Sequence, residues 1–304
     1  MKIFVNNVKE SWIIDRVRKE FYKNNSDITT KYIKKSDMIW ILSPWVWERT
    51  PKKYLESKKI ICSHYHFDFN NFNEQDFKRL DYFVDEYHVI SKNTKKQLLE
   101  LTDKKITSIP FWINQKNFYY INEKGKLKKS LGFSENDYLI GSFQRDTESY
   151  DLKSPKLIKG PDIFLDIVEK ISKDNQNLKV VLTGKNRQYL INQFNYKNIK
   201  YKYFEMTDIK TINKLYNILD LYIVSSRIEG GPQAILEAAL VKAPLISTDV
   251  GVASEILSPI SIFNPPNFES STPDIDYAFK KVLNHTIPEG MVDFRKMLLE
   301  CYES

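Results

Sequence analysis

The chain has 304 residues, of which 42% are hydrophobic and 13% aromatic, and its formal net charge is +7. This length is sufficient for two domains with separate cores, and no apolar run is long enough to span a membrane. The two cysteines, Cys62 and Cys301, have no C-x-x-C spacing, which argues against a disulfide framework or a cysteine zinc site. The first residues lack the apolar core of a signal peptide, so we expect a cytoplasmic protein.

The positive charge is concentrated in the first part of the chain. Residues 1–112 contain 21 Lys and Arg against 15 Asp and Glu, whereas the remainder is nearly balanced. A basic region can indicate an anionic membrane surface, nucleic acid, or solubility alone. The lysines are scattered and no nucleic-acid-binding motif is present, so we expect no nucleic-acid partner.

The first 112 residues show a short α/β pattern. Helices are expected at residues 9–23 and 93–102. Strands are expected at "KIFV", "DMIWIL", "KKIICS", "YHVIS" and "KITSIP". We interpret residues 1–112 as a small N-terminal domain and the Asn- and Lys-rich residues 113–137 as a linker.

Strands and helices alternate regularly from residue 138 onward. The expected helices are "PDIFLDIVEKIS", "RQYLINQF", "IKTINKLYNIL" and "PQAILEAALV". The expected strands are "YLIGSF", "LKVVLTG", "IKYKYF", "DLYIVSS" and "APLIST". This alternation predicts a parallel sheet covered by helices on both faces, over residues 138–285. The ends of such strands are where ligands bind.

A carboxylate interrupts the most apolar of these helices. In "SSRIEGGPQAILEAALV", Glu237 is the one charged residue of an otherwise apolar helix, and a buried carboxylate needs a partner. Glu229 precedes the same helix, and Gly230 and Gly231 allow backbone amides to approach a ligand closely. The helix is expected to start near Pro232, with an amino end that favours phosphate.

This segment resembles the signature of family 4 retaining glycosyltransferases, which have the two-domain GT-B fold. Glu229 and Glu237 have the Glu-x7-Glu spacing of that family, and the following "PLISTDVG" and "SEIL" agree with it. The resemblance implies two Rossmann-like α/β domains that face a cleft. It further implies that Glu237 binds the nucleotide's ribose, that Glu229 faces the donor sugar, and that Gly230, Gly231 and Pro232 hold the donor.

The same resemblance implies two cations on the donor diphosphate. The segments "GSFQRD" and "LIKGPD" offer Arg145 and Lys159, but the intervening stretch is longer than in many family members, so Lys153 and Lys156 are alternatives. Such cations stabilise a leaving nucleoside diphosphate without a metal. We therefore expect neither a metal nor a cofactor, and the resemblance places contacts to the donor base in the loops after "LTG", at Gly184, and after "YKYFEM".

The resemblance also implies a histidine near the donor sugar in the first domain. "CSHYHFD" offers His64 and His66, of which His66 is favoured because it lies further past the strand. Near the amino terminus, Asn6 and Asn7 stand where family members often have a glycine-rich loop, so acceptor recognition is not predicted. The residues 286–304 resemble the terminal helix that returns to the first domain.

The first domain also contains an aromatic segment, "WILSPWVWERTP". Trp40, Trp45 and Trp47 can stack on an acceptor, contact a membrane surface, or pack in a core.

The expected function is a retaining hexosyltransferase. It would pass a hexose from a nucleotide sugar, UDP- or GDP-linked, to a glycan or lipid-linked acceptor in envelope or surface polysaccharide synthesis. Peripheral contact with the inner face of a membrane is compatible with the basic first domain. The alternatives are a catalytically weak sugar-nucleotide-binding subunit and a nucleotide-sugar epimerase of the same fold.

Overall fold

The chain divides into two compact units. The computed structural model describes residues 1–7 and 13–304. Unit 1 comprises Met1–Trp112 and His285–Ser304, and unit 2 comprises Ile113–Asn284. The predicted helix at residues 9–23 therefore begins outside the described residues, and its described part starts at Ile13.

The strands of both units are short, as expected for parallel strands joined by helices. In chain order they are β1 (Ile3–Val5), β2 (Met38–Ile41), β3 (Lys59–His64), β4 (Glu86–Val89), β5 (Lys105–Ser108), β6 (Tyr138–Ser142), β7 (Leu178–Thr183), β8 (Tyr201–Phe204), β9 (Leu221–Val224), β10 (Leu245–Thr248) and β11 (Ile262–Phe263).

Helices connect these strands and cover both sheets. In chain order they are α1 (Ile13–Asn24), α2 (Lys52–Leu55), α3 (Glu74–Asp81), α4 (Lys92–Leu98), α5 (Lys124–Ser130), α6 (Pro161–Asp174), α7 (Gln188–Tyr196), α8 (Ile209–Ile218), α9 (Gln233–Leu240), α10 (Ala253–Ile256), α11 (Ile275–Leu283) and α12 (Val292–Glu303). Among the described residues, none of these helices combines the length and the apolarity needed to cross a bilayer.

Unit 1 contains a parallel sheet of order β1-β2-β3-β4-β5. On the other edge of β1, Ile3 exchanges backbone hydrogen bonds with Ile28 (2.8 Å) and Thr30 (2.9 Å). The chain thus passes along the outer edge of β1 before it returns to form β2. The direction of the connections therefore reverses between β1 and β2, as at the switch point of a doubly wound sheet.

Two apolar layers cover this sheet. On one face, α1 and α12 pack on Trp40, whose ring lies 5.0 Å from Phe21 and 5.7 Å from Phe294. On the other face, α2, α3 and α4 bury a cluster that includes Tyr87 and Cys62. The carboxyl-terminal helix is therefore part of the unit 1 core.

Unit 2 contains a six-stranded parallel sheet of order β11-β10-β9-β6-β7-β8. The strand order reverses between β6 and β9, which is the Rossmann arrangement. Helices α6 and α7 bury Phe164 and Phe194 against one face, and α8, α9 and α11 cover the other. Both sheet faces are covered, as the near-continuous apolar strands require.

The segment predicted as a linker belongs to unit 2. Residues 113–137 contain α5, and their Phe118 and Phe133 are buried in the unit 2 core. The backbone N–H of Tyr119 also donates to the side chain of Asn213 on α8, at 3.0 Å. The predicted boundary at residue 138 is wrong in this respect, because apolar anchors fix a stretch that is polar on average.

Candidate functional site

The candidate site lies at the switch point of the unit 2 sheet. Strands β6 and β9 pair in parallel, with Ile140 opposite Leu221, so their carboxyl ends emerge side by side. The loop after β6 carries Arg145 and Lys159, and the loop after β9 carries Glu229. Adjacent strands whose connections leave in opposite directions create a crevice at this edge.

Lys159 and Glu229 are in direct contact. The ammonium Nζ of Lys159 donates to Oε1 of Glu229 in a salt bridge, and each side chain is 17% exposed. Lys159 ends the 3-10 turn Leu157–Lys159. The structure therefore joins two residues that the family resemblance implies at the donor, one on its diphosphate and one on its sugar.

Gly160 makes this contact possible. It has φ +60°, and a Cβ at this position would lie 1.8 Å from the carbonyl oxygen of Ser225, just past the end of β9. Only glycine tolerates both the left-handed conformation and this close approach. The turn that carries Lys159 is thus pressed against the strand whose loop carries Glu229.

Polar contacts hold the same two segments together. The backbone N–H groups of Arg227 and Ile228 both donate to the carbonyl of Ile158, at 2.9 and 3.1 Å. Nε2 of Gln144 donates to the carbonyl of Lys159 at 2.7 Å, and the hydroxyl of Ser226 donates to Oε1 of Gln144 at 3.0 Å. The position of Lys159 is therefore determined from both sides of the crevice.

An ion pair reinforces this arrangement. The guanidinium of Arg227 donates to both carboxylate oxygens of Asp162 at 2.7 and 2.5 Å, and also to the carbonyl of Leu157 at 2.8 Å. Burial opposes ionisation of Asp162, but the hydrogen bonds from Arg227 prevail and lower its pKa. Bidentate pairs of this kind have a defined geometry, so Arg227 fixes the start of α6 relative to the Glu229 loop.

Glu237 is buried in α9 and is 8% exposed. Its Oε2 accepts a hydrogen bond from the hydroxyl of Tyr216 on α8, at 3.0 Å. Burial raises the pKa of Tyr216 well above its ordinary value, and the neighbouring Glu237 charge adds to that effect. The lone carboxylate of the apolar helix therefore has a partner within the protein.

The other predicted donor residues lie around the same edge. Gly230 approaches Gly251 closely, since a Cβ on Gly251 would lie 2.6 Å from the Gly230 carbonyl oxygen. Pro232 is buried and precedes the first residue of α9, and Gly231 is half-buried. Gly184, with φ +89°, follows β7, and its carbonyl accepts from the Tyr203 hydroxyl at 2.6 Å.

The cations before Lys159 differ in their surroundings. Arg145 is exposed in the loop after β6. Lys156 forms a salt bridge with Glu148 at 2.9 Å within the same loop. Lys153 is exposed, and its backbone N–H donates to Asp151 at 2.9 Å. Of the three candidate lysines, Lys159 is the one in contact with Glu229.

A buried arginine at this edge was not predicted from the sequence. Nε of Arg187 donates to Asp146 at 2.5 Å, and its Nη1 donates to the carbonyls of Ser142 and Thr183, at 2.8 and 3.0 Å. Arg187 is fully buried and Asp146 is 1% exposed. The pair thus ties the ends of β6 and β7 to the loop that carries Arg145. The polar stretch "KNRQ" gives no sign of this burial.

Two histidines of strands β3 and β4 lie in unit 1, His88 buried and His64 half-buried. Nδ1 of His88 bonds the hydroxyl of Ser63 at 2.8 Å, and its Nε2 bonds the carbonyl of Ile109 at 2.8 Å. His64 ends β3, its ring stacks on Phe67 at 4.0 Å, and its Nδ1 has no hydrogen-bond partner among the described residues. Burial lowers the pKa of each imidazole to about 4. His66 is half-buried, two residues beyond β3.

The switch point of unit 1 is bridged by Asn6. Its Nδ2 donates to the carbonyl of Ser43 at 3.1 Å, and its Oδ1 accepts from the N–H of Ser43 at 3.0 Å. Asn7 is the last described residue before the gap at residues 8–12. The buried Asn6 therefore links the ends of β1 and β2 where the family resemblance suggests a glycine-rich loop.

Carboxylate clusters that resemble metal sites are absent from residues 1–7 and 13–304. The Asp-x-Asp sequence at residues 274–276 has a structural role at its first residue, because Asp274 caps α11 by accepting from the N–H of Tyr277 at 3.1 Å.

The two units together have a known architecture. Two parallel-sheet, Rossmann-like α/β domains are the architecture of GT-B glycosyltransferases, which confirms the expected fold. Residues 153–281 match the family model described as "Glycosyl transferases group 1". The matched range includes Lys159, Glu229 and Glu237, and it supports a glycosyltransferase family.

Solved structures with the same fold are similar over most of the chain. HepE from Anabaena, in complex with UDP and glucose, has a TM-score of 0.75 at 13% identity, with 99% of this chain and 100% of that chain covered. Sucrose-phosphate synthase from Thermosynechococcus elongatus has a TM-score of 0.71 at 12% identity, with 98% and 81% covered. The pneumococcal O-GlcNAc transferase GtfA, in complex with UDP and GlcNAc, has a TM-score of 0.64 at 14% identity, with 88% and 57% covered. No curated protein sequence matches this chain.

Proposed function

We propose that the protein is a retaining glycosyltransferase that moves a hexose from a nucleotide sugar to an acceptor hydroxyl. The observation that carries the proposal is the convergence of Lys159, Glu229 and the α9 amino end at the switch point of a Rossmann sheet. A cation, a carboxylate and the positive end of a helix dipole at one such edge suit a sugar diphosphate.

The proposed chemistry needs charge stabilisation at two places. As the bond between the anomeric carbon and the diphosphate breaks, negative charge grows on the phosphate oxygens, and Arg145 and Lys159 are placed in the loop that would receive them. Positive charge grows at the anomeric carbon, and Glu229 would face it. The acceptor hydroxyl attacks from the same face, so the product keeps the donor's anomeric configuration.

We further propose that Glu237 binds the ribose hydroxyls of the donor. Its Oε2 already accepts from Tyr216 at 3.0 Å, which holds the carboxylate in one orientation. A carboxylate can accept about four hydrogen bonds, so a ribose diol can be added to this contact. Tyr216 would thereby act on the nucleotide indirectly, by positioning Glu237.

A uridine nucleotide is the favoured donor. HepE and GtfA, which share the fold, were solved with UDP, one with glucose and the other with GlcNAc. At identities of 13% and 14% these structures suggest a first donor to try rather than an assignment. We retain GDP as the second candidate. A glycan or a lipid-linked glycan of the cell envelope or surface is the proposed acceptor, in the cytoplasm or at the inner face of the membrane.

The donor site is tested by thermal shift with UDP, GDP, ADP and their common sugar conjugates, with and without magnesium. We expect one nucleotide to raise the melting temperature regardless of magnesium, and Glu237→Ala to abolish the shift. Glu135→Ala is the matched control, because Glu135 is an exposed carboxylate of unit 2 whose partner is Lys129 at 3.0 Å. A complete absence of nucleotide binding would refute the proposal.

Turnover is tested with the nucleotide sugar that binds. We expect slow release of the nucleoside diphosphate. The first sugar released, observed by NMR, should have the same anomeric configuration as the donor. An inverted product would contradict the retaining mechanism. Binding without turnover, combined with an unchanged partner activity in Glu229→Gln, would instead favour the sugar-nucleotide-binding subunit. The Asn6 bridge in place of a glycine-rich loop is the observation that keeps this second candidate.

A further inference from the structure

Unit 1 has a concave site that the proposed transfer reaction does not use. It is a groove of about 810 Å³, formed by the turn after β2 together with α2 and α3. We call it the aromatic groove, and its lining includes Trp47, Leu55, Arg79, Tyr82 and Phe83. Ligand-binding clefts are commonly about 300–1,000 Å³ in volume, so this groove is large enough for a ligand of several rings.

The groove is lined by three aromatic rings. The ring centroids of Trp47 and Phe83 are 5.9 Å apart, and those of Tyr82 and Phe83 are 5.0 Å apart and nearly perpendicular. Tyr82 is 78% exposed, whereas Leu55 on the groove floor is 5% exposed. Exposed aromatic rings with a polar tip suit partners that have both apolar and polar faces.

Charged side chains surround these rings, and each groove cation is paired with an acid. The N···O distances are 3.3 Å for Lys52 with Glu56, 2.7 Å for Lys78 with Glu74, and 2.9 Å for Arg79 with Glu48. The guanidinium of Arg79 also lies 5.8 Å from the Trp47 ring. The groove thus offers donors and acceptors side by side, with its cations neutralised locally.

This charge balance discriminates between ligands. An anionic lipid surface attracts clusters of Lys and Arg that lack acidic neighbours, and the acids Glu48, Glu56 and Glu74 work against such attraction. A neutral sugar ring fits better, because its C–H faces lie on aromatic rings while its hydroxyls both donate and accept. The groove's carboxylates accept hydrogen bonds and its ammonium and guanidinium groups donate them.

We propose that the aromatic groove binds neutral pyranose units of a polysaccharide. Tyr82 and Phe83 come just before β4, at the amino ends of the parallel strands. His64 is the last residue of the neighbouring strand β3 and therefore lies at their carboxyl ends. The glycan would be held at a distance from the carboxyl edge. The groove would anchor the protein on a polymer independently of nucleotide binding in unit 2.

Calorimetric titration of the full-length protein with maltohexaose and cellohexaose tests the proposal. We expect saturable binding with a Kd of about 1 mM or tighter, and a loss of about fivefold or more in Tyr82→Ala, as stacking on an aromatic ring predicts. Glu48→Gln, which removes one acceptor from the rim, is expected to weaken binding while it leaves the rings in place. Trp47 is not substituted, because it packs against Phe83 and the unit 1 core.

Two controls separate this site from the proposed donor site. Tyr32→Ala removes a tyrosine of unit 1 that is 67% exposed and lies outside the groove, and it should bind the oligosaccharides like the unsubstituted protein. Saturation with UDP, or the Glu237→Ala substitution, should leave oligosaccharide binding unchanged. Failure of nucleotide binding therefore does not affect the result at the groove.

Several outcomes would overturn the proposal. One is that neither oligosaccharide binds at about 10 mM, tenfold above the weakest expected Kd. Another is that binding persists unchanged in Tyr82→Ala and Glu48→Gln. A third is that phosphatidylglycerol vesicles bind in a Tyr82-dependent manner while the oligosaccharides do not, which would assign the groove to a membrane surface.

Discussion

Removing the charge of Glu229 should tighten the binding of free UDP. Lys159 is held in a salt bridge by Glu229. If Lys159 binds the diphosphate, as proposed, the phosphate oxygens must compete with this carboxylate. Glu229→Gln keeps the shape of the side chain but removes the competing charge, so more of the attraction of Lys159 is available to UDP.

The magnitude follows from the exposure of the pair. Both side chains are 17% exposed, so the pair is neither fully solvated nor fully buried. A hydrogen bond to a charged group contributes about 1.5–3 kcal/mol, whereas an exposed ion pair contributes about 0–1 kcal/mol. An intermediate value of about 1–2 kcal/mol corresponds to a decrease of about 5- to 30-fold in the Kd of UDP.

Isothermal titration of UDP into the two proteins measures this difference, and a parallel assay follows turnover of the UDP sugar. We expect affinity and turnover to change in opposite directions, because Glu229 is proposed to act on the sugar during transfer. Glu148→Gln is a matched control, since Glu148 pairs with Lys156 in the same loop at 2.9 Å. This variant frees a different lysine by the same chemical change.

Each result has a distinct meaning. Unchanged or weaker UDP binding in Glu229→Gln would refute the competition between carboxylate and diphosphate. Tighter binding in Glu148→Gln but not in Glu229→Gln would identify Lys156 as the diphosphate ligand in place of Lys159.

Gly160→Ala should destabilise unit 2 by at least about 2 kcal/mol in urea unfolding, because its Cβ would meet a carbonyl oxygen at 1.8 Å. In the control variant Gly184→Ala the atom nearest to the Cβ is 3.7 Å away, so we expect backbone strain alone, about 1 kcal/mol. Arg187→Met should lower the free energy of unfolding by about 3–5 kcal/mol, because it leaves a buried carboxylate unpaired. The double variant with Asp146→Leu should recover most of this stability. Equal losses in the single and the double variant would contradict this account. Because the pKa of His88 is about 4 when folded and about 6.5 when unfolded, its stabilising contribution is complete above pH 6.5 and decreases by about 3 kcal/mol as the pH falls from 6.5 to 4. Denaturant unfolding of His88→Gln against pH should show a shallower decline.

Much of the sheet architecture was predictable from apolar runs. Strands β1 to β10 lie where short apolar stretches stand between turn residues, because a parallel strand is buried on both faces. Strand β11 was not predicted, since two residues leave no periodicity to detect. Helix α5 was missed for another reason: its sequence "KGKLKKS" is polar, and the segment is fixed by Phe118 and Phe133 on either side of it.

The candidate site was predictable where its residues are close in sequence. Glu229, the two glycines after it and Glu237 form one local motif, which can be read directly from the sequence. The contacts between distant segments were not predictable. Arg227 and Asp162 are 65 positions apart, and Arg187 lies 41 positions from Asp146, so charge pairing appears only when the strand order is known.

The chemical identity of residue 159 fits the proposed competition between the Glu229 carboxylate and a diphosphate. A lysine carries a compact charge on a flexible stem with three rotatable donors, whereas an arginine has a rigid fork suited to one planar partner. Lys159 can therefore exchange a carboxylate for a phosphate oxygen by rotation of its side chain alone. Arg227, which has no such exchange to make, holds Asp162 with both ends of its fork. The rigid pair fixes the backbone of the turn, whereas the flexible lysine can rotate toward the proposed diphosphate.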